Sequence, residues 1–205
     1  MGVVGLGRLN SVDAVTLDAY GTLVGLEDPL PRLQAAFGVR AREAARGFEA
    51  EFAFYREHVL EGRDAESLAV LRSRCAAVFA EAAGATADSD AFQACLVFIP
   101  LPGVVATLRR LRARGLALAV VSNWDVGLHE HLRRLGLAHW FDAVVTSAEC
   151  GIRKPDPRIF ALAIERLHVR PERVLHVGDD DVLDREGAEA AGMHFAPAPL
   201  ADAFA

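Results

Sequence analysis

The stretch VDAVTLDAYGT, residues 12–22, joins a short apolar run to a turn. The run VDAVTL is apolar and rich in β-branched residues, and it predicts a buried strand over 12–17. The DAYGT that follows has the glycine and small polar residues of a turn. We therefore expect Asp18 to lie at the carboxyl end of a buried strand.

The second half of the chain alternates short helices and strands. Strands are predicted over 116–121, 143–146, 174–177 and near Met193, and helices over 103–114, near 126–135, from Pro157 and near 182–191. This alternation predicts an α/β fold with a parallel sheet covered by helices on both faces. In such sheets, ligands bind outside the carboxyl ends of the strands.

The segment 26–98 has a different, helical periodicity. Phe48, Phe52, Tyr55 and Val59 recur at helical spacing, and Asp64 is placed to cap a second helix. The sequence IPLPG, 99–103, is predicted to break the chain after this segment. We therefore divide the chain into a Rossmann-like α/β core of 1–25 with 99–205 and a helical insert of 26–98.

Polar residues follow the first four of the five predicted strands of the core. The first strand is followed by Asp18 and the second by Ser122 and Asn123, while Lys154 follows the third. Four acids within six residues repel one another unless a cation gathers them. Such a group follows the fourth strand in GDDDVLD: Asp179, Asp180, Asp181 and Asp184.

Lys154 is the single lysine among 22 basic residues, the other 21 being arginines. A compact ammonium fits between a carboxylate and a transferring oxygen in a crowded site, where a planar guanidinium needs more width. Together with its place at the predicted sheet edge, this favours a functional role for Lys154 over a surviving surface charge.

These segments resemble the haloacid dehalogenase-like hydrolase superfamily. The resemblance rests on DAYGT, on Ser122 after a strand, on Lys154 in KPDP and on VGDDDVLDREGAEAAGM. It is strong over 12–25 and 99–196 and weak across the helical insert. It implies a Rossmann-like core, with the insert as a cap that closes over the site.

The resemblance also implies roles for individual residues. Asp18 is implied as the nucleophile, and Tyr20, Ser122 and Lys154 complete the catalytic set. The implied substrate-binding residues are Thr22, Ser122, Asn123 and Lys154. The implied Mg²⁺ ligands are Asp18, Tyr20, Asp179 and Asp184, with Asp180 and Asp181 as open alternatives to Asp184.

Tyr20 departs from the pattern of the superfamily's phosphatases, which carry a second Asp two residues after the nucleophile. A tyrosine has an ordinary pKa near 10, so it donates a proton or hydrogen bond but is a poor base at neutral pH. The sequence DAYGT resembles true haloacid dehalogenases, whose halide needs no protonation. Those enzymes, however, lack the pair of metal-binding acids after the fourth strand, whereas this chain has several acids there.

Three functional hypotheses follow. The first is a Mg²⁺-dependent phosphohydrolase that acts on a small phosphorylated metabolite through an aspartyl-phosphate. The second is a 2-haloacid dehalogenase that forms an aspartyl ester. The third is a catalytically degenerate binding relative, which Tyr20 favours and the retained Asp18, Lys154 and acids oppose.

Composition limits the partners and the setting. The net charge of −6 and the absence of a basic run argue against nucleic acid, and no stretch is long and apolar enough for a membrane helix. Residues 1–10 show no targeting signal, so a cytoplasmic location is predicted. The oligomeric state is left open.

Substrate specificity is expected to come from the cap. Glu51, Tyr55 and His58 lie at i, i+4 and i+7 of a predicted helix. They either face the site or form a solvated helix face.

Overall fold

A computed structural model describes residues 11–204, so that positions 1–10 and 205 of the predicted core lie outside it. The strands, in chain order, are β1 (Ala14–Leu17), β2 (Val24–Leu26), β3 (Phe98–Pro100), β4 (Ala117–Ser122), β5 (Ala143–Thr146), β6 (Val174–Gly178) and β7 (His194–Pro197). Five of them form a parallel sheet in the order β5-β4-β1-β6-β7. The predicted α/β class with a Rossmann-like parallel sheet is confirmed.

Helices cover the sheet and form the insert: α1 (Leu30–Phe37), α2 (Ala41–His58), α3 (Ala65–Ala83), α4 (Ser89–Cys95), α5 (Val104–Ala113), α6 (Leu128–Arg134), α7 (Ser147–Cys150), α8 (Pro157–Leu167), α9 (Gly187–Ala190) and α10 (Leu200–Ala203). None of the helices described between residues 11 and 204 is long and apolar enough to cross a membrane.

The two faces of the sheet carry separate apolar layers. Val120 of β4 packs in the layer that contains Leu108 of α5. Its neighbour Val121 points to the opposite face, into the layer of Phe160 from α8. Because successive strand residues alternate in direction, β4 is buried on both sides and reads as one apolar run.

The insert has its own apolar cluster, which includes Leu33, Phe79 and Phe92. Helices α1 to α4 all fall within the range 26–98, and we propose this range as the cap. Asp64 is the N-terminal capping residue of helix α3, as predicted, since its carboxylate accepts a hydrogen bond of 2.9 Å from Ser67 N.

Two elements differ from the sequence prediction. The segment IPLPG does not simply break the chain, because Ile99 and Pro100 belong to β3, which pairs antiparallel with β2 at the base of the insert. Three-residue strands give no periodicity to detect, and Pro100 ends an edge strand, where its missing N–H is tolerated. The helix predicted near 182–191 is instead a π-helical turn, Asp181–Glu186, followed by the short α9.

Candidate functional site

Asp18 lies at the carboxyl end of β1, in the middle of the sheet, and its residue is 6% exposed. Its Oδ1 accepts hydrogen bonds from Ser122 Oγ at 2.9 Å and from Lys154 Nζ at 2.6 Å. Within residues 11–204, no donor contacts Oδ2. Oδ1 is therefore held by two hydrogen bonds, whereas Oδ2 is free to contact a ligand.

Lys154 bridges two carboxylates. Its ammonium bonds Asp184 Oδ1 at 2.5 Å as well as Asp18, and the residue is 4% exposed. Burial lowers the pKa of Lys154, but the charges and hydrogen bonds of Asp18 and Asp184 outweigh burial and raise the pKa above its ordinary value. The side chain is therefore an ammonium at neutral pH.

Asn123 fixes the main chain of Lys154. The Lys154 amide donates to Asn123 Oδ1 at 2.8 Å, and Asn123 Nδ2 donates to the Lys154 carbonyl at 3.1 Å. The side-chain amide is thus already occupied by Lys154. Substrate binding by Asn123 stays a prediction, and the contact in the structure is one of positioning.

The acids after β6 separate into three kinds. Asp180 accepts two 2.8 Å hydrogen bonds at the start of the π-helical turn, from Val182 N and Leu183 N. Asp181 pairs with Arg185 on the surface. Only Asp179 and Asp184 join Asp18, with one carboxylate oxygen from each of the three lying within 4.8 Å of the others.

The pKa values of Asp184 and Asp179 are shifted in opposite directions. Burial alone would raise the pKa of Asp184, but the His176 hydrogen bond and the Lys154 charge lower it well below the ordinary value. The pKa of Asp179 is raised by burial, and the negative charges of Asp18 and Asp184 add to that rise. Asp179 is therefore the carboxylate whose charge most needs a cation nearby.

Two glycines leave room for these carboxylates. A Cβ at Gly21 would lie 2.1 Å from Asp179 Oδ2, and Gly21 also has a left-handed φ of +79°. A Cβ at Gly178 would lie 2.2 Å from Asp184 Cγ. Both glycines are required by close approach of an acid and not by the turn alone.

The sequence reasoning missed the residues that hold Asp184. His176 Nε2 lies 3.1 Å from Asp184 Oδ1, and His176 Nδ1 lies 2.9 Å from Thr16 Oγ1. Thr16 and His176 are register partners on β1 and β6, and both are fully buried. Burial lowers the pKa of His176, so a neutral ring that donates from Nε2 fits both contacts. Thr16 and His176 are polar residues in otherwise apolar strands, and this pattern could have indicated a buried polar pair.

Tyr20 and Thr22 lie near the predicted nucleophile without contacting it through hydrogen bonds. The Tyr20 ring packs against Trp124 at 6.5 Å between centroids, and its hydroxyl meets no polar partner in the described part of the chain. Thr22 is buried, and its Oγ1 has no hydrogen-bond partner among the described residues. Their catalytic, metal and substrate roles stay predictions.

A cavity of about 430 Å³ joins the carboxylate site to the cap. Glu51 and Tyr55 line it, as do Asp18 and Lys154. His58 instead bonds the Phe54 carbonyl at 2.8 Å. Of the three cap residues considered from the sequence, Glu51 and Tyr55 therefore face the site.

The cap and the core meet at a hydrogen bond. Tyr55 donates to Asp125 Oδ2 at 2.8 Å, and Asp125 Oδ1 accepts from Gly127 N at 2.6 Å. Glu51, one helical turn before Tyr55, is buried beside the Cys75 thiol. Burial raises the pKa of Glu51 to about 7.

The donor set fits a small divalent cation. Three carboxylates and one ammonium leave a net charge of about −2, because His176 is neutral. Mg²⁺ takes one or two carboxylates and completes its shell with water or substrate oxygens. Asp18, Asp179 and Asp184 supply oxygen ligands of this kind in one place.

The parallel sheet presents a lysine-bound aspartate beside paired acids at its carboxyl edge, where α/β folds of this kind bind their ligands. A family model described as haloacid dehalogenase-like hydrolase matches residues 12–192, and the chain belongs to this family.

Relatives and solved structures agree with this assignment. The chain is 50% identical over 94 residues to haloacid dehalogenase-like hydrolase domain-containing protein 3 of Mus musculus, covering 46% of this chain and 38% of the mouse protein. It is 47% identical over 95 residues to the glyceraldehyde 3-phosphate phosphatase of Methanopyrus kandleri, covering 46% of this chain and 41% of that protein. These matches span well under half of each relative's length.

The fold is also similar to the L-2-haloacid dehalogenase of Xanthobacter autotrophicus. The two are 28% identical with a TM-score of 0.69, over 91% of this chain and 77% of that one. The comparisons therefore include both a phosphatase and a dehalogenase.

Proposed function

We propose that the protein is a Mg²⁺-dependent phosphohydrolase that acts on a small phosphorylated metabolite through an aspartyl-phosphate. The observation that supports it most is the grouping of Asp18, Asp179 and Asp184 around the single ammonium of Lys154. The phosphatase relative named above supports the same reaction. We place this reaction in the cytoplasm, a prediction that rests on the sequence alone.

Charge is the reason for preferring a phosphate substrate with a metal. Two unit charges 4 Å apart interact by about 4 kcal/mol at an effective dielectric of 20. A phosphate dianion beside Asp18 and Asp179 meets several such repulsions, which Lys154 alone does not offset. When bound, Mg²⁺ supplies the missing positive charge and an electrophile for the phosphoryl oxygens. Asp18, Asp179 and Asp184 would hold it, with Tyr20 as the further predicted ligand.

The chain's own residues divide the work. Asp18 Oδ2 forms a bond to phosphorus as the bond from phosphorus to the ester oxygen breaks, and the departing alkoxide takes a proton from solvent water to leave as the alcohol. Lys154 and Ser122 hold Asp18 Oδ1 and are placed to contact a phosphoryl oxygen. Water then hydrolyses the aspartyl-phosphate and returns Asp18. Tyr20 can donate a hydrogen bond to the leaving oxygen, but it is a weak base for the water.

The second candidate is a 2-haloacid dehalogenase. It is favoured by Tyr20 in DAYGT and by the similarity to the Xanthobacter autotrophicus enzyme. Against it stand Asp179 and Asp184, which repel the carboxylate of a haloacid when no cation is bound.

A substrate panel separates the candidates. Phosphate esters and short 2-chloroacids are assayed with and without Mg²⁺. The proposal predicts turnover of esters that requires Mg²⁺ and no turnover of chloroacids. Chloride release that is independent of Mg²⁺ would establish the dehalogenase instead, and no turnover of any compound would support the degenerate relative.

The metal site is tested by calorimetry on Asp179→Ala. The variant should lose Mg²⁺ binding, because one of very few protein ligands is removed. Asp181→Ala is the matched control, since Asp181 lies in the same loop but pairs with Arg185 on the surface. Equal Mg²⁺ affinity in the two variants would remove Asp179 from the site.

A further inference from the structure

Aromatic side chains form much of the cavity wall beyond Lys154. On the core side, the Trp124 ring packs 6.5 Å from Tyr20 and 5.2 Å from Phe98 between centroids. On the cap side, Phe48 and Phe52 stack at 6.3 Å. All five rings line the cavity that contains Asp18 and Lys154.

Two of these rings are exposed although they lie at the site. Tyr20 is 44% exposed and Phe52 is 42% exposed, one from the core and one from the cap. Exposed apolar ring surface is unfavourable in water and becomes favourable when a ligand covers it. The Arg56 guanidinium lies 5.9 Å from the Phe52 ring centroid, within the range of a cation–π contact.

Two polar groups in this part of the cavity are already hydrogen-bonded within the protein. The Tyr55 hydroxyl is bound to Asp125, and the Asn123 amide is bound to the main chain of Lys154. Glu51 lies beside Cys75. A flat apolar body covers the rings without needing hydrogen-bond partners, whereas the hydroxyls of a sugar or glycerol body would need partners among the remaining polar lining residues, such as Arg72, Gln93 and Arg153.

Building on the proposed phosphohydrolase, we propose that this aromatic wall is a leaving-group subsite. Lys154, Ser122 and Asp18 hold the phosphoryl group, and the rings of Tyr20 and Phe52 cover the alcohol. The preferred substrates are therefore phosphate monoesters whose alcohol carries an aromatic body, rather than polyol phosphates.

The test compares 2-phenylethyl phosphate with glycerol 1-phosphate in the presence of Mg²⁺. Both release a primary alcohol, so the acidity of the leaving group does not separate them as it would for a phenol. We expect kcat/KM to be roughly tenfold or more higher for the aromatic ester. A ratio of one or below, with clear turnover of glycerol 1-phosphate, overturns the subsite and leaves the phosphohydrolase intact. Absence of turnover with every phosphate ester overturns both.

Variants of Phe52 test whether this ring produces the preference for aromatic esters. Phe52→Ala and Phe52→Leu should each lower the aromatic-to-polyol ratio of kcat/KM by roughly threefold to tenfold, because the ring is removed. Val70→Ala is the matched control, since Val70 is an exposed apolar residue of the cap that does not line the cavity. An unchanged ratio in both Phe52 variants, in folded protein, overturns the role of this ring and with it the subsite.

Discussion

The hydroxyl of Tyr55 lies 2.8 Å from Asp125 Oδ2, and this hydrogen bond joins cap helix α2 to the loop after β4. Ser122, which contacts Asp18, is the last residue of β4, and Asn123, which fixes Lys154, begins the same loop. A second contact, from Val126 N to the Gly62 carbonyl at 2.9 Å, lies beside it. The position of the cap is thus tied to the loop that begins beside Asp18 and Lys154.

Removing the Tyr55 hydroxyl should weaken this contact. Tyr55→Phe leaves the buried Asp125 carboxylate with one donor fewer, and we expect the free energy of unfolding to fall by about 1–3 kcal/mol. Urea denaturation measures it. Tyr20→Phe is the matched control, because its hydroxyl has no partner among residues 11–204, and it should be close to neutral. Equal stabilities of the two variants would show that the Tyr55 contact contributes nothing.

Glu51 should make stability depend on pH. Burial raises its pKa from 4.5 to about 7, so the folded state keeps a proton that the unfolded state releases. Its contribution is therefore full below pH 4.5 and is lost as pH rises through about 7. Glu51→Gln stays neutral, so its stability relative to wild type should increase by up to about 3 kcal/mol between pH 5 and pH 8.

The control for Glu51 is Glu49→Gln, an exposed position on the same helix. Urea titrations at each pH should show no such trend for Glu49→Gln. If the difference between Glu51→Gln and wild type is constant with pH, Glu51 is not protonated in the folded state.

Lys154→Arg should keep the charge and lose activity. The ammonium is 4% exposed and bridges Asp18 and Asp184, so a wider guanidinium displaces at least one carboxylate. We expect kcat to fall roughly 100-fold or more, the scale of a misplacement near 1 Å. Arg158→Lys, the reverse change at an exposed position four residues on, should leave kcat unchanged. A kinetically silent Lys154→Arg would mean that any cation suffices at this position.

Periodicity was sufficient to predict the parallel sheet but not the short elements. β5 was predicted with its observed ends, 143–146, because an apolar run bounded by polar residues marks it. β2 and β3 have three residues each and were missed. The π-helical turn was predicted as α-helix, since both present apolar residues at similar spacing.

For the site, the sequence identified residue types at strand ends but not their contacts. Asp184 could not be separated from Asp180 and Asp181, because the choice depends on contacts with His176 of β6 and with Lys154 from a distant loop. The hydrogen bonds of Asn123 to Lys154 likewise join residues 31 positions apart. Such pairs are set by the sheet order, which no local pattern contains.

Tyr20→Asp should restore general acid and base catalysis if the reaction is phosphoryl transfer. Such catalysis contributes roughly 100-fold to 10,000-fold to the rate. The new carboxylate would lie beside Asp18 and Asp179, whose negative charges raise its pKa, so that part of this gain is lost. We therefore expect a modest rise in kcat/KM, greatest for esters with poor leaving groups. The measurement is kcat/KM across phosphate esters of graded leaving-group pKa. A flat or uniformly reduced series would mean that Tyr20 or a cap residue already fulfils this role.

The most direct test of the central claim is the mass of the peptide that contains Asp18 after rapid acid quench of enzyme turning over a phosphate ester with Mg²⁺. Because Tyr20 is a poor base, hydrolysis of the intermediate should be slower than its formation, so that the intermediate accumulates. We predict one phosphoryl group on Asp18 in the wild type and in the control Asp13→Asn, an exposed position just before β1, and neither modification nor turnover in Asp18→Asn. Turnover of the ester by Asp18→Asn, or a phosphoryl group on another residue, would contradict the account.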